Sequence, residues 1–230
     1  MDSHEFDKFA DEYSASLRAS INISGEGPEY FAEYKVRDVV EFARRRSLHV
    51  RTVLDFGCGI GGATPYFNKL LPDAKLFGAD VSKKSLDIAR ERCGALADYR
   101  EFDGCKLPFA NGAFDVVFAA CVFHHIPEAE HIGLLSEIRR VLSTDGVFLV
   151  FEHNPLNPLT RRVVNQCPFD ENAVLIRAPV LKRRLEAAGF PSVNTRYRIF
   201  FPHLLKGLRR IETGLAWCPL GAQYYLSAQK

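Results

Sequence analysis

The stretch DFGCGIGG at 55–62 sets Gly57, Gly59 and Gly62 at the spacing G-x-G-x-x-G, with a carboxylate, Asp55, two residues ahead of the first glycine. A glycine-rich turn between a strand and a helix lets a ligand approach the backbone, and the helix N-terminus offers free N–H groups. Such a turn serves dinucleotides and sulfonium nucleosides alike, and charge separates the two. A pyrophosphate is repelled by a carboxylate at the turn. S-adenosylmethionine brings an ammonium and a sulfonium instead, so Asp55 favours that cofactor; the competing use of an Asp here is to cap the turn or the helix. Asp80, in FGADVS, is placed to accept both hydroxyls of a ribose, which either ligand would supply. Asp103 and Gly104, in FDGCKLPF, can take the exocyclic amine and the face of an adenine, although an Asp-Gly pair also makes an ordinary turn.

Three imidazoles follow apolar runs that read as strands: His124 and His125 after FDVVFAACVF, and His153 after VFLVFE. Open α/β sheets bind ligands beyond the C-terminal ends of their strands. An imidazole there, poised near neutral pH, can deprotonate a hydroxyl nucleophile. His124 and His153 are the candidate general bases, with packing or capping at the strand end as the equal competing use of each, whereas His125 suits that structural use better.

These side chains need a framework, and the hydrophobic periodicity supplies one. Helices are predicted over 5–17 and 30–46, separated by the glycines and proline at 25–28. Strands at 51–56, 75–79, 98–102, 114–119 and 147–152 alternate with helices at 63–71, 82–93 and 129–142, which implies βαβ units and a parallel sheet. Beyond residue 152 the pattern breaks. Four prolines divide 153–179 into short helical pieces. A helix at 178–188 follows, then strands at 193–201 and 222–228, with an insertion containing a mildly amphipathic helix at 202–221.

The motifs VLDFGCGIGG, GADVS, FDGCKLPFANGAFDVVFAACVFHHI and EIRRVLSTDGVFLVFEHN together resemble the class I S-adenosylmethionine-dependent methyltransferases, in particular the small-molecule group called methyltransferase type 11 or 12. The resemblance is specific over residues 51–152. It implies an α/β, Rossmann-like, seven-stranded and mostly parallel sheet with the last strand antiparallel, helices on both faces and an N-terminal helical lid. It also implies one methyltransferase domain, with the lid in 1–50, the cofactor-binding core in 51–152, and substrate-side insertions with the last strands in 153–230. By the same likeness Asp55, Gly57, Cys58 and Gly59 face the methionine part of the cofactor, Asp80 and Val81 the ribose, Asp103 and Gly104 the adenine, and Cys121 the sulfonium. FDKFADEY resembles the lid helix, with Tyr13 closing over the cofactor. Two departures stand out: STDG at 143–146 replaces the usual proline-glycine-glycine turn, and Cys121 occupies a place where a small polar residue is commoner.

Composition narrows the partners. The 230 residues are 47% hydrophobic and 25% charged with a formal charge of +2, too little for phosphate-driven nucleic-acid binding. Six cysteines without a C-x-x-C pair suggest neither a disulfide framework nor a metal site. Reduced thiols, an acidic N-terminus and no apolar run of ~20 residues point to a cytoplasmic protein with no membrane-spanning segment. The expected activity is methyl transfer to a small molecule, oxygen favoured as the acceptor atom. Phe200, Phe201, Leu204, Leu205, Leu208, Leu215 and Trp217, rimmed by Lys206, Arg209 and Arg210, can form a lid over a hydrophobic or lipid-linked acceptor, a dimer face or a peripheral membrane contact; ordinary packing on the sheet edge is the plainer use. Two other readings stand beside the methyltransferase: a nicotinamide-dependent oxidoreductase, which lacks a Tyr-x-x-x-Lys pair after the fourth strand, and a non-catalytic cofactor-binding protein. Oligomeric state is not legible.

Overall fold

A computed structural model describes residues 25–230. The expected helix over 5–17, and Tyr13 with it, lie outside the described residues.

Seven strands form one sheet in the order β3-β2-β1-β4-β5-β7-β6. These are β1 (Thr52–Phe56), β2 (Lys75–Asp80), β3 (Asp98–Glu101), β4 (Phe114–Ala120), β5 (Leu142–His153), β6 (Ser192–Arg198) and β7 (Gln223–Gln229). The first five pair in parallel, and β7 runs antiparallel to both β5 and β6. This is the Rossmann-like sheet that the motifs imply.

Helices cover both faces, as parallel strands require. They are α1 (Pro28–Arg45), α2 (Thr64–Leu70), α3 (Lys83–Cys93), α4 (His131–Val141), α5 (Pro158–Gln166), α6 (Ala178–Ala187) and α7 (Glu212–Leu215). Strand alternation assigns the faces. Val53, Val116, Phe118, Leu149 and Phe151 pack with Tyr34, Val36 and Val39 of α1 and Phe67 of α2. Their neighbours Leu54, Val117, Phe148 and Val150 pack with Leu134, Leu135 and Ile138 of α4 and Leu181 and Leu185 of α6. Each wholly buried Leu or Val contributes ~1.5–3 kcal/mol of transfer free energy.

Two segments differ from their sequence reading. Ser143 to Gly146 is the start of β5 rather than a turn, because Leu142 already pairs with Phe114 and the ladder absorbs the extra length as an irregularity before Val116. The 202–221 segment is a 3-10 turn, His203–Ile211, bent at Leu205 and followed by α7. It is anchored at its base, where Glu212 Oε1 accepts from Phe200 N and Phe201 N at 3.0 Å each. Leu204, Ile211, Trp217 and Leu220 are exposed. Arg209 leaves the expected basic rim and turns inward, pairing with Glu26 at 2.7 Å over the ring of Tyr30. Among the described residues no helix is long and apolar enough to cross a membrane.

Candidate active site

The first strand delivers Asp55 to the C-terminal edge of the sheet and then turns sharply. Gly57 takes φ +69, and a Cβ there would lie 2.5 Å from Val122 Cγ2, so the turn needs glycine for both conformation and room. Gly59 also has a left-handed φ, +49, with open space around it. Its N–H donates to Asp80 Oδ2 at 2.8 Å, while Ser82 N donates to Oδ1 at 2.9 Å. The end of β2 thereby holds the loop after β1.

A cavity of about 440 Å³ opens over this edge. Its wall joins the glycine loop, α1, the ends of β4 and β5, and the proline-broken segment after β5. Of the residues singled out in the sequence, Asp55, Gly57, Cys58, Gly59, Gly62, Cys121, His124, His125, His153 and Phe200 line it. Asp80 stands behind Gly59, and Val81 is buried beside it. Asp103 and Gly104 are not on this wall. The Asp103 carboxylate is exposed and closes its own turn, accepting from Cys105 N at 2.8 Å and Lys106 N at 2.7 Å.

Side chains that local sequence did not single out line the cavity or support those that do. Lys35, on the inward face of α1 with only 6% exposure, donates from Nζ to Cys121 Sγ at 3.3 Å. Gln223 on β7 lies 3.3 Å from His153 Nδ1 and accepts a hydrogen bond from the Tyr34 hydroxyl. Glu152, wholly buried, points to the opposite sheet face from His153. Its Oε1 accepts from Val122 N at 3.2 Å and Phe123 N at 2.8 Å, and its Oε2 meets His124 Nδ1 at 2.5 Å. Asp170, in a short 3-10 turn, faces His124 and His125 at 3.5 and 3.4 Å.

Burial sets the electrostatics. Burial and the nearby Asp80 carboxylate raise Asp55 to a pKa of about 8 against the pull of Lys35. Burial alone would push the Cys121 thiol up, yet His153 and Lys35 outweigh it and hold the thiol at about 6. Cys121 also sits at φ +60, a left-handed conformation uncommon outside glycine. Burial disfavours a charged His124, but Glu152 and Asp170 raise its pKa to about 10. His125 is lowered, chiefly by burial. A ring that already holds its proton at neutral pH is poorly prepared to accept another, which counts against His124 as a base.

Residues 54–150 match the family described as a methyltransferase domain. The chain carries a class I S-adenosylmethionine-dependent methyltransferase domain. It is 30% identical over 150 residues to the malonyl-[acyl-carrier protein] O-methyltransferase of Legionella pneumophila, covering 64% of this chain and 48% of that protein. It is 33% identical over 108 residues to the demethylmenaquinone methyltransferase of Thermus thermophilus, covering 46% of this chain and 48% of that protein. The chain thus spans about half the length of these curated relatives. Among solved structures, a SAM-dependent methyltransferase of Thermotoga maritima aligns over 100% of both chains with a TM-score of 0.67 and 18% identity, a likeness that speaks for the fold.

Proposed function

We propose that the protein transfers a methyl group from S-adenosylmethionine to a small-molecule acceptor held in the cavity over the β1, β4 and β5 ends, with oxygen as the accepting atom. The observation that carries this reading is the juxtaposition of Asp55 and Lys35, one buried carboxylate and one buried ammonium, on the wall of a single cavity. The methionine end of the cofactor bears an ammonium and a carboxylate, and each finds its opposite charge here. Asp80 and Val81 would hold the ribose, Asp103 and Gly104 the adenine, and Gly57, Cys58 and Gly59 would admit the methionine chain.

When bound, the cofactor supplies a methyl carbon already activated by positive sulfur. The protein's part is alignment and exclusion of water, and such positioning can account for ~7–11 kcal/mol of a barrier. His153, oriented by Gln223, would take the proton of a hydroxyl acceptor. The acceptor wall would come from α5 and from the segment after β6, where Leu159, Val163, Phe200 and Pro202 line the cavity. Those residues favour an acceptor with an apolar part. The free state of all six cysteines fits a cytoplasmic setting. The exposed leucines and Trp217 leave room for peripheral contact with a membrane, which liposome co-sedimentation tests.

Calorimetry with S-adenosylmethionine, S-adenosylhomocysteine and NAD tests the cofactor, with binding expected for the first two alone. Incubation with S-adenosylmethionine and a metabolite extract, followed by mass spectrometry, tests turnover. A product heavier than its precursor by one methyl group is expected; binding without any such product would leave a cofactor-binding protein that is not an enzyme.

A further inference from the structure

The wall of the cavity holds a second constellation that cofactor binding does not use. His124 and His125 share the short turn Phe123–His125 after β4, and Asp170 ends the turn Pro168–Asp170 after α5. One donor atom from each lies within 4.8 Å of the others. His124 Nε2 is buried and makes no hydrogen bond. Its ring cannot swing away to find one, because Nδ1 is bound to Glu152 at 2.5 Å and Glu152 is itself fixed by two backbone N–H groups.

The separations fit a shared cation better than a direct pair. A charge-assisted N–H···O contact closes to ~2.7–2.9 Å. Ligands held at ~2.0–2.1 Å around a tetrahedral ion stand roughly 3.3–3.4 Å apart. Asp170 Oδ1 is 3.5 Å from His124 Nε2 and 3.4 Å from His125 Nε2. The carboxylate that orients the ligating imidazole from behind, Glu152, completes the arrangement in which a metal-binding histidine is usually found.

We propose that His124 Nε2, His125 Nε2 and Asp170 Oδ1 bind a divalent transition-metal ion of the zinc class. Two imidazoles and one carboxylate suit such an ion rather than magnesium or calcium, which want an all-oxygen shell. The ion takes the place of the Nε2 proton on His124. All three residues line the cavity, so the remaining coordination position faces the space where an acceptor would lie. A hydroxyl or carboxylate oxygen of the acceptor would be held there and, if a hydroxyl, made more acidic. That role rests on the methyl-transfer reading, whereas the site itself does not.

The test uses the full chain, stripped by dialysis against a chelator and titrated with Co²⁺ by visible absorption and with Zn²⁺ by calorimetry. One ion per chain is expected, with the intense d–d bands of a low-coordinate cobalt site. Asp170→Asn and His125→Ala should each weaken binding by about tenfold or more, with circular dichroism confirming the fold. Absence of binding, or binding that persists undiminished in both variants, overturns the site and leaves His124, His125 and Asp170 as an ion-paired cluster. S-adenosylhomocysteine is titrated into the same samples. Cobalt binding without S-adenosylhomocysteine binding supports the metal site and counts against the cofactor reading alone.

Discussion

Lys35 Nζ stands 3.3 Å from Cys121 Sγ, tying the middle of α1 to the end of β4 across the cavity. The thiol is held at a pKa of about 6 because His153 and Lys35 outweigh the effect of burial. The thiolate is the reactive form of cysteine, so Cys121 should alkylate with a pH midpoint near 6, read by peptide mass spectrometry after brief exposure to iodoacetamide. Lys35→Met removes the neighbouring ammonium and should move that midpoint up by roughly one unit, the equivalent of ~1.4 kcal/mol. S-adenosylhomocysteine should protect the thiol. An unchanged midpoint in the Lys35 variant would show that the contact has no electrostatic consequence.

Asp55 links cofactor binding to pH. Its folded-state pKa of about 8 lies above the ordinary value of 3.8. Between those limits the folded chain keeps a proton that the unfolded chain has released, so this residue lowers stability progressively as pH rises toward 8. Asp55→Asn should therefore raise the Tm of the cofactor-free protein at pH 8, by roughly 2–10 °C, while abolishing S-adenosylmethionine binding. For the natural chain, affinity should improve by up to about tenfold for each unit that the pH rises toward the Asp55 pKa, because the carboxylate must ionise to hold the ammonium. Scanning calorimetry and titration across pH 6–8 check both limbs; a variant that loses stability instead would mean Asp55 is satisfied without the cofactor.

The contrast between Asp55 and Lys35 shows what the sequence could disclose. Asp55 is legible because the strand, the carboxylate and the glycine turn are contiguous, and the same holds for Asp80 at the end of β2. Lys35 sits in FAEYKV, four residues beyond Phe31 on a helix face, where nothing local says that the ammonium points inward. The partnership arises only when α1 packs over β1 and β4. Glu152 was visible only as the polar end of VFLVFE; that it faces His124 while His153 faces Cys121 follows from strand alternation once the sheet faces are known. Asp170 belongs to a proline-broken segment whose path no periodicity predicts. The 3-10 turn at His203–Ile211 gave an amphipathic signal over too few residues to separate a helix from a bent turn.

The two glycines of the turn should respond differently to the same substitution. Each needs a left-handed φ, which costs a side-chain-bearing residue ~1–2 kcal/mol. At Gly57 the new Cβ would also meet Val122 Cγ2 at 2.5 Å and Cγ1 at 2.7 Å, whereas at Gly59 nothing lies within 4 Å. Gly57→Ala should therefore lower Tm well beyond Gly59→Ala and displace the Val122 to His124 turn. Gly59→Ala should remain folded and lose cofactor affinity. Equal losses of Tm for the two would contradict the role of Val122.

Glu152 joins the two halves of the site, since one carboxylate orders the turn after β4 and fixes the His124 ring. Burial would raise its pKa, but His124 and the backbone donor at Phe123 outweigh it and hold the carboxyl below its ordinary 4.5. Its contribution is therefore fully present above that ordinary value and disappears as pH falls through the lowered one. Glu152→Ala leaves two buried N–H groups and a buried imidazolium without their acceptor, a loss of about 3–5 kcal/mol for a broken buried pair. Glu152→Gln keeps an oxygen for the N–H groups but puts an amide donor in place of the charged oxygen that meets His124, so its loss should be smaller and its pH dependence flatter on the acid side. Chemical denaturation at pH 7 and pH 4 separates the two variants. If Gln and Ala cost the same, shape and backbone donors count for nothing and the charge on Glu152 is the whole of its role.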